Sequence, residues 1–172
     1  MLFRSKKLVV RAEPAEPAWA LGDADRTRHI LLNLATNAVR YTLQGEIRFR
    51  LRKDGSMVGV SVQDTGPGIA PEHLELVFDR FFRIDQSRSR ELGGTGLGLA
   101  IARLLAELQQ GRVTVESTVG DGSVFTLWLP ASPTEAARTR HRVGVPLSGK
   151  VFPVVRSRPI FSPGKLTAGD HP

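Results

Sequence analysis

Cysteine is absent from the 172 residues. That excludes a disulfide framework and any thiolate metal site, and it suits a reducing compartment. No apolar run approaches the roughly 18 residues that a membrane-spanning helix needs. The opening "MLFRSKKLVV" is basic but has no long apolar stretch and no small-residue cleavage site, so no signal peptide is expected and a cytoplasmic location is. The four histidines, His29, His73, His141 and His171, lie far apart without metal-ligand spacing. Neither G-x-x-x-x-G-K-[ST] nor G-x-G-x-x-G occurs, which removes the P-loop and the Rossmann fingerprint. Acidic residues are outnumbered, 17 against 24 Lys and Arg, for a net charge of +7. The excess is uneven: residues 131–172 hold seven basic and two acidic residues, whereas residues 1–130 hold 17 and 15. A folded basic groove for nucleic acid is therefore not expected, and a DNA-binding or membrane-surface role would rest on the tail alone.

What remains is a chain of ordinary apolar content, 41%, long enough for one domain with a core. Its character changes near Pro130. Before that point, periodic segments follow one another through short turns. After it, Pro, Gly, Ser and Arg dominate without a sustained period, so residues 1–130 are expected to fold and 131–172 to form a basic, mostly disordered tail, with short extended pieces at "KVFPVV". "KKLVVRA" reads as a strand. Asp23 or Asp25 can cap a helix running to about Tyr41, with Ile30, Leu31, Leu34, Ala35 and Ala38 on one apolar face. "EIRFRLR" and "MVGVSVQD" alternate as half-buried strands on either side of Asp54-Gly55. A short helix follows in "PEHLELVF", a second helix runs from about Leu97 to Leu108, and "RVTVES" and "SVFTLWL" close the series as strands. That order implies an α+β fold, a two-layer sandwich with helices on one face of a mixed sheet.

Three stretches carry chemistry. In "NLATNAVRY", Asn33 and Asn37 are four apart and share a helix face with Arg40 and Tyr41 nearby. An asparagine oxygen is a hard ligand suited to Mg²⁺, which keeps waters and phosphates in its shell; solvated or tertiary-bonded asparagines would look the same. In "DTGPGI", Asp64 ends a strand, and Gly66 and Gly68 let backbone pass close to something flat. A carboxylate in a glycine-walled slot suits the amino group of adenine, although an Asp-x-Gly turn stiffened by Pro67 would also explain it. In "GGTGLGL", glycines 94, 96 and 98 expose backbone N–H groups at a helix start, whose dipole favours an anion. Each signal alone is weak. Together, an adenine acceptor, a magnesium ligand and a phosphate cradle make an ATP site without a Walker motif.

"LGDADRTRHILLNLATNAVRYT", "VQDTGPGIAPEHLELVFDRFFRIDQSRSRELGGTGLGLAIARLLAE" and "VESTVGDGSVFTLWLP" resemble, in order, the asparagine, first glycine, phenylalanine and second glycine boxes of bacterial two-component sensor histidine kinases. The resemblance covers roughly residues 8–130 and is similar to that family's catalytic ATP-binding domain, a Bergerat sandwich with a mostly antiparallel mixed sheet, shared with gyrase and MutL ATPases. It implies Asn37 as Mg²⁺ ligand, Asn33 and Arg40 at the phosphates, and Tyr41 beside the adenine. It also implies Asp64 on the adenine amino group, with Gly66, Gly68 and Ile69 around the base. Phe78, Phe81 and Phe82 would anchor an ATP lid, Arg83 would reach the terminal phosphates, and Gly94, Thr95, Gly96, Leu97, Gly98 and Leu99 would form the lid's hinge. Asn33, Asn37, Arg40 and Arg83 would serve catalysis.

The family phosphorylates a histidine on a separate helical-hairpin domain that dimerises, and a response regulator acts downstream. No H-E-[LI]-[RK]-T-P-like stretch occurs here, and His29, inside the asparagine box, lacks that flank. The chain is thus expected to bind Mg-ATP as a monomer and not to phosphorylate itself, with any membrane anchor of a longer protein lying upstream. Two smaller departures are Gln109-Gln110-Gly111 in place of the usual His-Gly-Gly and a turn "TLQGE" one residue short. The competing reading within the superfamily is an ATP-binding regulatory module or anti-sigma-type serine kinase.

Overall fold

The computed structural model describes residues 6–84 and 95–132, together with the backbone of 150–153. The elements run β1 (Lys7–Ala12), β2 (Trp19–Gly22), α1 (Ala24–Tyr41), β3 (Gln44–Asp54), β4 (Met57–Asp64), two 3₁₀ turns (Pro71–His73 and Leu76–Phe78), α2 (Gly98–Glu107), β5 (Arg112–Thr118), β6 (Gly122–Pro130) and β7 (Lys150–Pro153). Five strands form one sheet in the order β1-β3-β4-β6-β5. Only β1 and β3 pair in parallel; the other neighbours are antiparallel. This is the expected α+β sandwich. The extended piece expected at "KVFPVV" is β7, and it pairs antiparallel with β2, which was not anticipated, in a separate two-stranded sheet. No helix among the described residues is long and apolar enough to cross a membrane.

Local chemistry explains the boundaries. Of the two candidate caps, Asp23 is the one used: its Oδ1 accepts the N–H groups of Asp25 and Arg26, each at 3.0 Å, satisfying donors a helix start leaves open. At the other end Thr42 is extended and its N–H still reaches the Ala38 carbonyl at 3.0 Å. The β3–β4 hairpin pairs Asp54 with Met57, leaving Gly55-Ser56 as the turn.

Alternation then builds the core. Phe49 pairs with Val62, and Val62 with Phe125, so one sheet face is apolar and receives the helices. Ile30, Leu34 and Ala38 of α1 are buried on it, while Leu31 is only partly buried. Ala35 turns away and lines an open concavity with Lys6, Thr36, Val39 and Arg40. From α2 the buried residues are Ala102 and Ala106, small enough for the helix to lie close beside α1 and the sheet. The opposite sheet face carries an ion network in which Glu13 and Glu46 are shared among Arg11, Arg48 and Arg50. Arg50 Nε stands 2.8 Å from Glu13 Oε1 without the alignment of a hydrogen bond.

The Gln109 departure has a clear structural role. Gln109 is 8% exposed. Its Oε1 accepts the Asp23 N–H at 2.7 Å and the Thr27 hydroxyl at 3.3 Å, and its Nε2 donates to the Leu105 carbonyl at 2.9 Å. The end of α2 is thereby tied to the cap of α1. Gln110 follows with φ 57° and closes α2 in the left-handed conformation usually left to glycine. Replacing Gln109 with Ala removes the acceptor of the buried Thr27 hydroxyl and of the partly buried Asp23 N–H. The unfolding free energy in urea should fall by about 1–3 kcal/mol, the cost of unsatisfied buried groups.

Candidate functional site

Seating α1 on the sheet through Ile30, Leu34 and Ala38 turns Asn33, Asn37 and Arg40 onto one flank, because residues three and four apart share a helix face. All three are half-buried. Asn33 Nδ2 is buried without a hydrogen-bond partner, and its Oδ1 lies 3.4 Å from where a Cβ on Gly98 would stand. The first residue of α2 thus rests against Asn33. Tyr41, 42% exposed, sits at the other end of the flank, its carbonyl 3.5 Å from a Cβ position on Gly66. From Asn33 to Tyr41 the helix rises about 12 Å at 1.5 Å per residue.

Asp64 lies at the Tyr41 end. It closes β4, pairs with Ile47 and Ser123 on the core side of the sheet, and is 6% exposed. Burial raises its pKa above the ordinary carboxylate value, opposed by backbone hydrogen bonds from Gly66 and Ser123; the Gly66 N–H donates to Oδ1 at 2.8 Å. No salt bridge to Asp64 occurs among the described residues. A Cβ on Gly66 would stand 2.7 Å from that same oxygen, and at Gly68 (φ 72°) it would run into the Thr118 carbonyl, so both glycines are needed as glycine. Ile69 packs against the core and donates its N–H to Ser117 Oγ at 2.8 Å.

At the Asn33 end, Leu97 precedes α2 with no side-chain cap, so the helix's first N–H groups and positive dipole end have no side chain fitted to them. Thr95 is exposed, and Leu99 is tucked against the core. Gly96 adopts φ 71° and abuts Phe81, whose N–H donates to the Gly96 carbonyl at 3.0 Å. Phe78 is buried edge-on to Phe125, ring centroids 6.4 Å apart. Phe82 contacts His73 at 5.7 Å. Phe81 departs from the expected aromatic anchor: it is 70% exposed with φ 65°, and it holds Gly96 through its backbone, not its ring. Arg83 Nε and Nη2 are buried with no hydrogen-bond partner. Gly94 lies outside the described residues.

Several groups here carried no signal in the sequence reading. Thr42 is fully buried, and its Oγ1 has no partner yet lies 3.4 Å from the Gly66 Cβ position. Ser117 donates to the Gly122 carbonyl at 2.7 Å and lies 2.9 Å from Ser123 Oγ. Ser117 has one proton, so Ser123 is the donor in that pair. Lys6 Nζ caps the carbonyls of Val39 and Arg40 at 2.6 and 2.7 Å, and burial first, then the Arg40 charge, lowers its pKa.

A model of the histidine kinase-, DNA gyrase B- and HSP90-like ATPases matches residues 22–133. The chain belongs to that family. Within it, the sensor histidine kinases are its relatives. Sensor histidine kinase RppB of Synechocystis sp. is 44% identical over 113 residues, 65% of this chain and 25% of RppB. Sensor-like histidine kinase SenX3 of Mycobacterium tuberculosis is 44% identical over 123 residues, 71% of this chain and 30% of SenX3. Among solved structures, full-length ShkA in complex with AMPPNP is 35% identical with a TM-score of 0.61, covering 73% of this chain and 26% of ShkA. The mycobacterial sensor histidine kinase MprB is 29% identical with a TM-score of 0.59, covering 74% of this chain and 83% of that chain. The chain spans only a quarter to a third of these curated relatives. It is a histidine-kinase catalytic domain, of the ATP-binding kind.

In this kinase domain Asp64 also sets a pH dependence. A carboxylate whose pKa is raised by folding binds its proton more tightly in the folded state, so its ionisation destabilises the fold as pH rises through the folded pKa. Relative to Asp64→Asn, the wild-type chain should lose stability as pH rises from about 4 toward neutrality and converge with the variant at lower pH. Urea unfolding of both across that range measures the difference; parallel curves would refute it.

Proposed function

We propose that this kinase domain binds Mg-ATP along the α1 flank and donates the γ-phosphoryl group to a histidine on a separate helical-hairpin dimerisation domain, with a response regulator downstream. The observation that carries the reading is the layout of the α1 flank. A buried acceptor without a salt-bridge partner, Asp64, stands at one end. An uncapped helix start against Asn33 stands at the other, about 12 Å of helix away. That is the polarity of an adenine nucleotide. In this assignment Asp64 accepts the adenine amino group, Gly66, Gly68 and Ile69 wall the base, and Tyr41 lies beside it. Residues 1–130 constitute the catalytic unit, cytoplasmic and monomeric when isolated, and 131–172 an appended basic segment.

Magnesium suits the donors present. No group of three His, Cys, Asp or Glu side chains that could hold a metal occurs among the described residues, which fits an ion held by one amide oxygen, Asn37, with phosphate and water oxygens completing its shell. Bound with the nucleotide, the ion would neutralise charge on the phosphates.

The chain's own residues then orient and stabilise. Asn33, Arg40 and the α2 N–H groups hold phosphate oxygens, with Thr95, Gly96, Leu97, Gly98 and Leu99 shaping the hinge. Arg83, whose buried Nε and Nη2 have no partner, meets the terminal phosphate, and Phe78 anchors the segment that carries it. A histidine nitrogen from the acceptor domain attacks phosphorus. The N–P bond forms as the bond to the β–γ bridging oxygen breaks, the electron pair leaves with ADP, and the acceptor domain removes the imidazole proton.

Mixing the chain with Mg-ATP and histidine-bearing hairpin domains should give acid-labile phosphate on histidine; acid-stable phosphoserine on the partner would overturn the assignment in favour of a serine kinase. Arg83→Gln should weaken ATP about 10–100-fold, the worth of charged hydrogen bonds, while leaving adenosine within about twofold. Equal losses for both ligands in calorimetry would remove Arg83 from the phosphate end.

A further inference from the structure

Strand β2 offers main chain on two sides. On one side Ala20 bridges Ala131, and the Ser132 N–H donates to the Trp19 carbonyl at 2.8 Å, continuing the end of β6. The other side is taken by β7, in antiparallel register: Trp19 opposite Pro153, Ala20 opposite Phe152, Leu21 opposite Val151 and Gly22 opposite Lys150. The family match stops at residue 133, so β7 comes from a segment outside the matched domain. It pairs with a strand immediately before the cap of α1. Asp23 follows Gly22, carries the N-cap interactions, and has its own N–H held by Gln109 at 2.7 Å.

We propose that the β2 edge facing away from β6 is a strand-addition site whose resident ligand is the chain's own Lys150–Pro153, a tethered strap that holds the β2–α1 junction when docked and bares that edge when released. Strand addition draws its affinity from main-chain hydrogen bonds, and four residues provide few of them. The strap is covalently joined to the same chain through the seventeen residues, 133–149, that follow Ser132, and covalent connection raises its effective concentration far above that of a free peptide. Docking is therefore favourable within one chain yet weak enough to reverse. Release leaves β2 with unpaired N–H and C=O groups, a state that sheet edges otherwise avoid. The strap acts at the end of α1 opposite Tyr41 and Asp64, so it bears on the junction without contributing to the groove.

The absence of cysteine makes the test clean in the full chain. Leu21→Cys with Val151→Cys places two thiols at register partners, and Leu21→Cys with Pro153→Cys serves as the off-register control. Mild oxidation should give an intramolecular disulfide in monomers of the first pair at least tenfold faster than in the control. Equal rates, or disulfide-linked dimers only, would overturn the strap. In parallel, Phe152→Pro should speed amide exchange at least tenfold at residues 19–27 while leaving β5 and β6 protected. A free peptide of residues 148–155 at millimolar concentration should restore that protection in the variant and change nothing in the intact chain. Unaltered exchange at 19–27, loss of protection throughout the sheet, or equal peptide effects on both chains would each refute it.

Discussion

Burial of Ile30, Leu34 and Ala38 against the sheet sets the rotation of α1, and the polar flank follows from that rotation. Burying an Ile or Leu side chain is worth about 1.5–3 kcal/mol, so turning the helix to present a different face would forfeit more than any single polar contact could return. With the stripe held down, Asn33, Asn37 and Arg40 have no choice of direction. They lie along the flank that Gly98 meets at one end and Gly66 at the other. The polar flank of this domain is thus a by-product of how its hydrophobic face is seated.

What distinguishes that surface is polar groups left unsatisfied. Most buried polar atoms in folded proteins find partners, yet Asn33 Nδ2, Thr42 Oγ1 and two nitrogens of Arg83 have none, and Asp64 is buried without a salt-bridge partner among the described residues. Each orphan costs free energy that the core must offset. Arg50 Nε, Gln63 Oε1 and His73 Nδ1 are also without a hydrogen-bond partner among the described residues, but along the α1 flank an acceptor and a hydroxyl gather around Gly66 and an amide stands by the start of α2. A ligand with donors at one end and anionic oxygens at the other would relieve the strain along its whole length. Sites that violate packing rules in an otherwise well-satisfied fold are where function is expected to reside.

The two helices are held in register by means that leave this surface alone. Small residues on α2 bring it close, Gln109 ties its end to the α1 cap, and β2 leads straight into that cap. These ties lie toward the N-terminal end of α1, whereas Gly96, just before α2, accepts a backbone hydrogen bond from Phe81.

Much of this could be read from the chain alone, for a physical reason. Helix and strand periodicities record burial residue by residue, so α1, the β3–β4 hairpin, α2 and the last two strands were legible, as was the Asp23 cap. The resemblance of four ordered motifs to the kinase boxes pointed to the family. Position in space was not legible. The resemblance to the phenylalanine box placed Phe81 among the aromatic anchors, whereas here it has a positive φ and its ring is exposed. Nothing local marked Trp19–Gly22 as a strand, since four residues after Pro14 and Pro17 show no period, and the partner lies more than a hundred positions away. The Gln109 departure could be read as structural, but only folding shows the partners it serves, Asp23 and Thr27. The sequence by itself determined which residues must be buried and which conformations the chain can take locally. Tertiary structure alone decided which polar atoms are left without partners, because satisfaction of a donor or acceptor depends on distant segments that only the folded chain brings within hydrogen-bond reach.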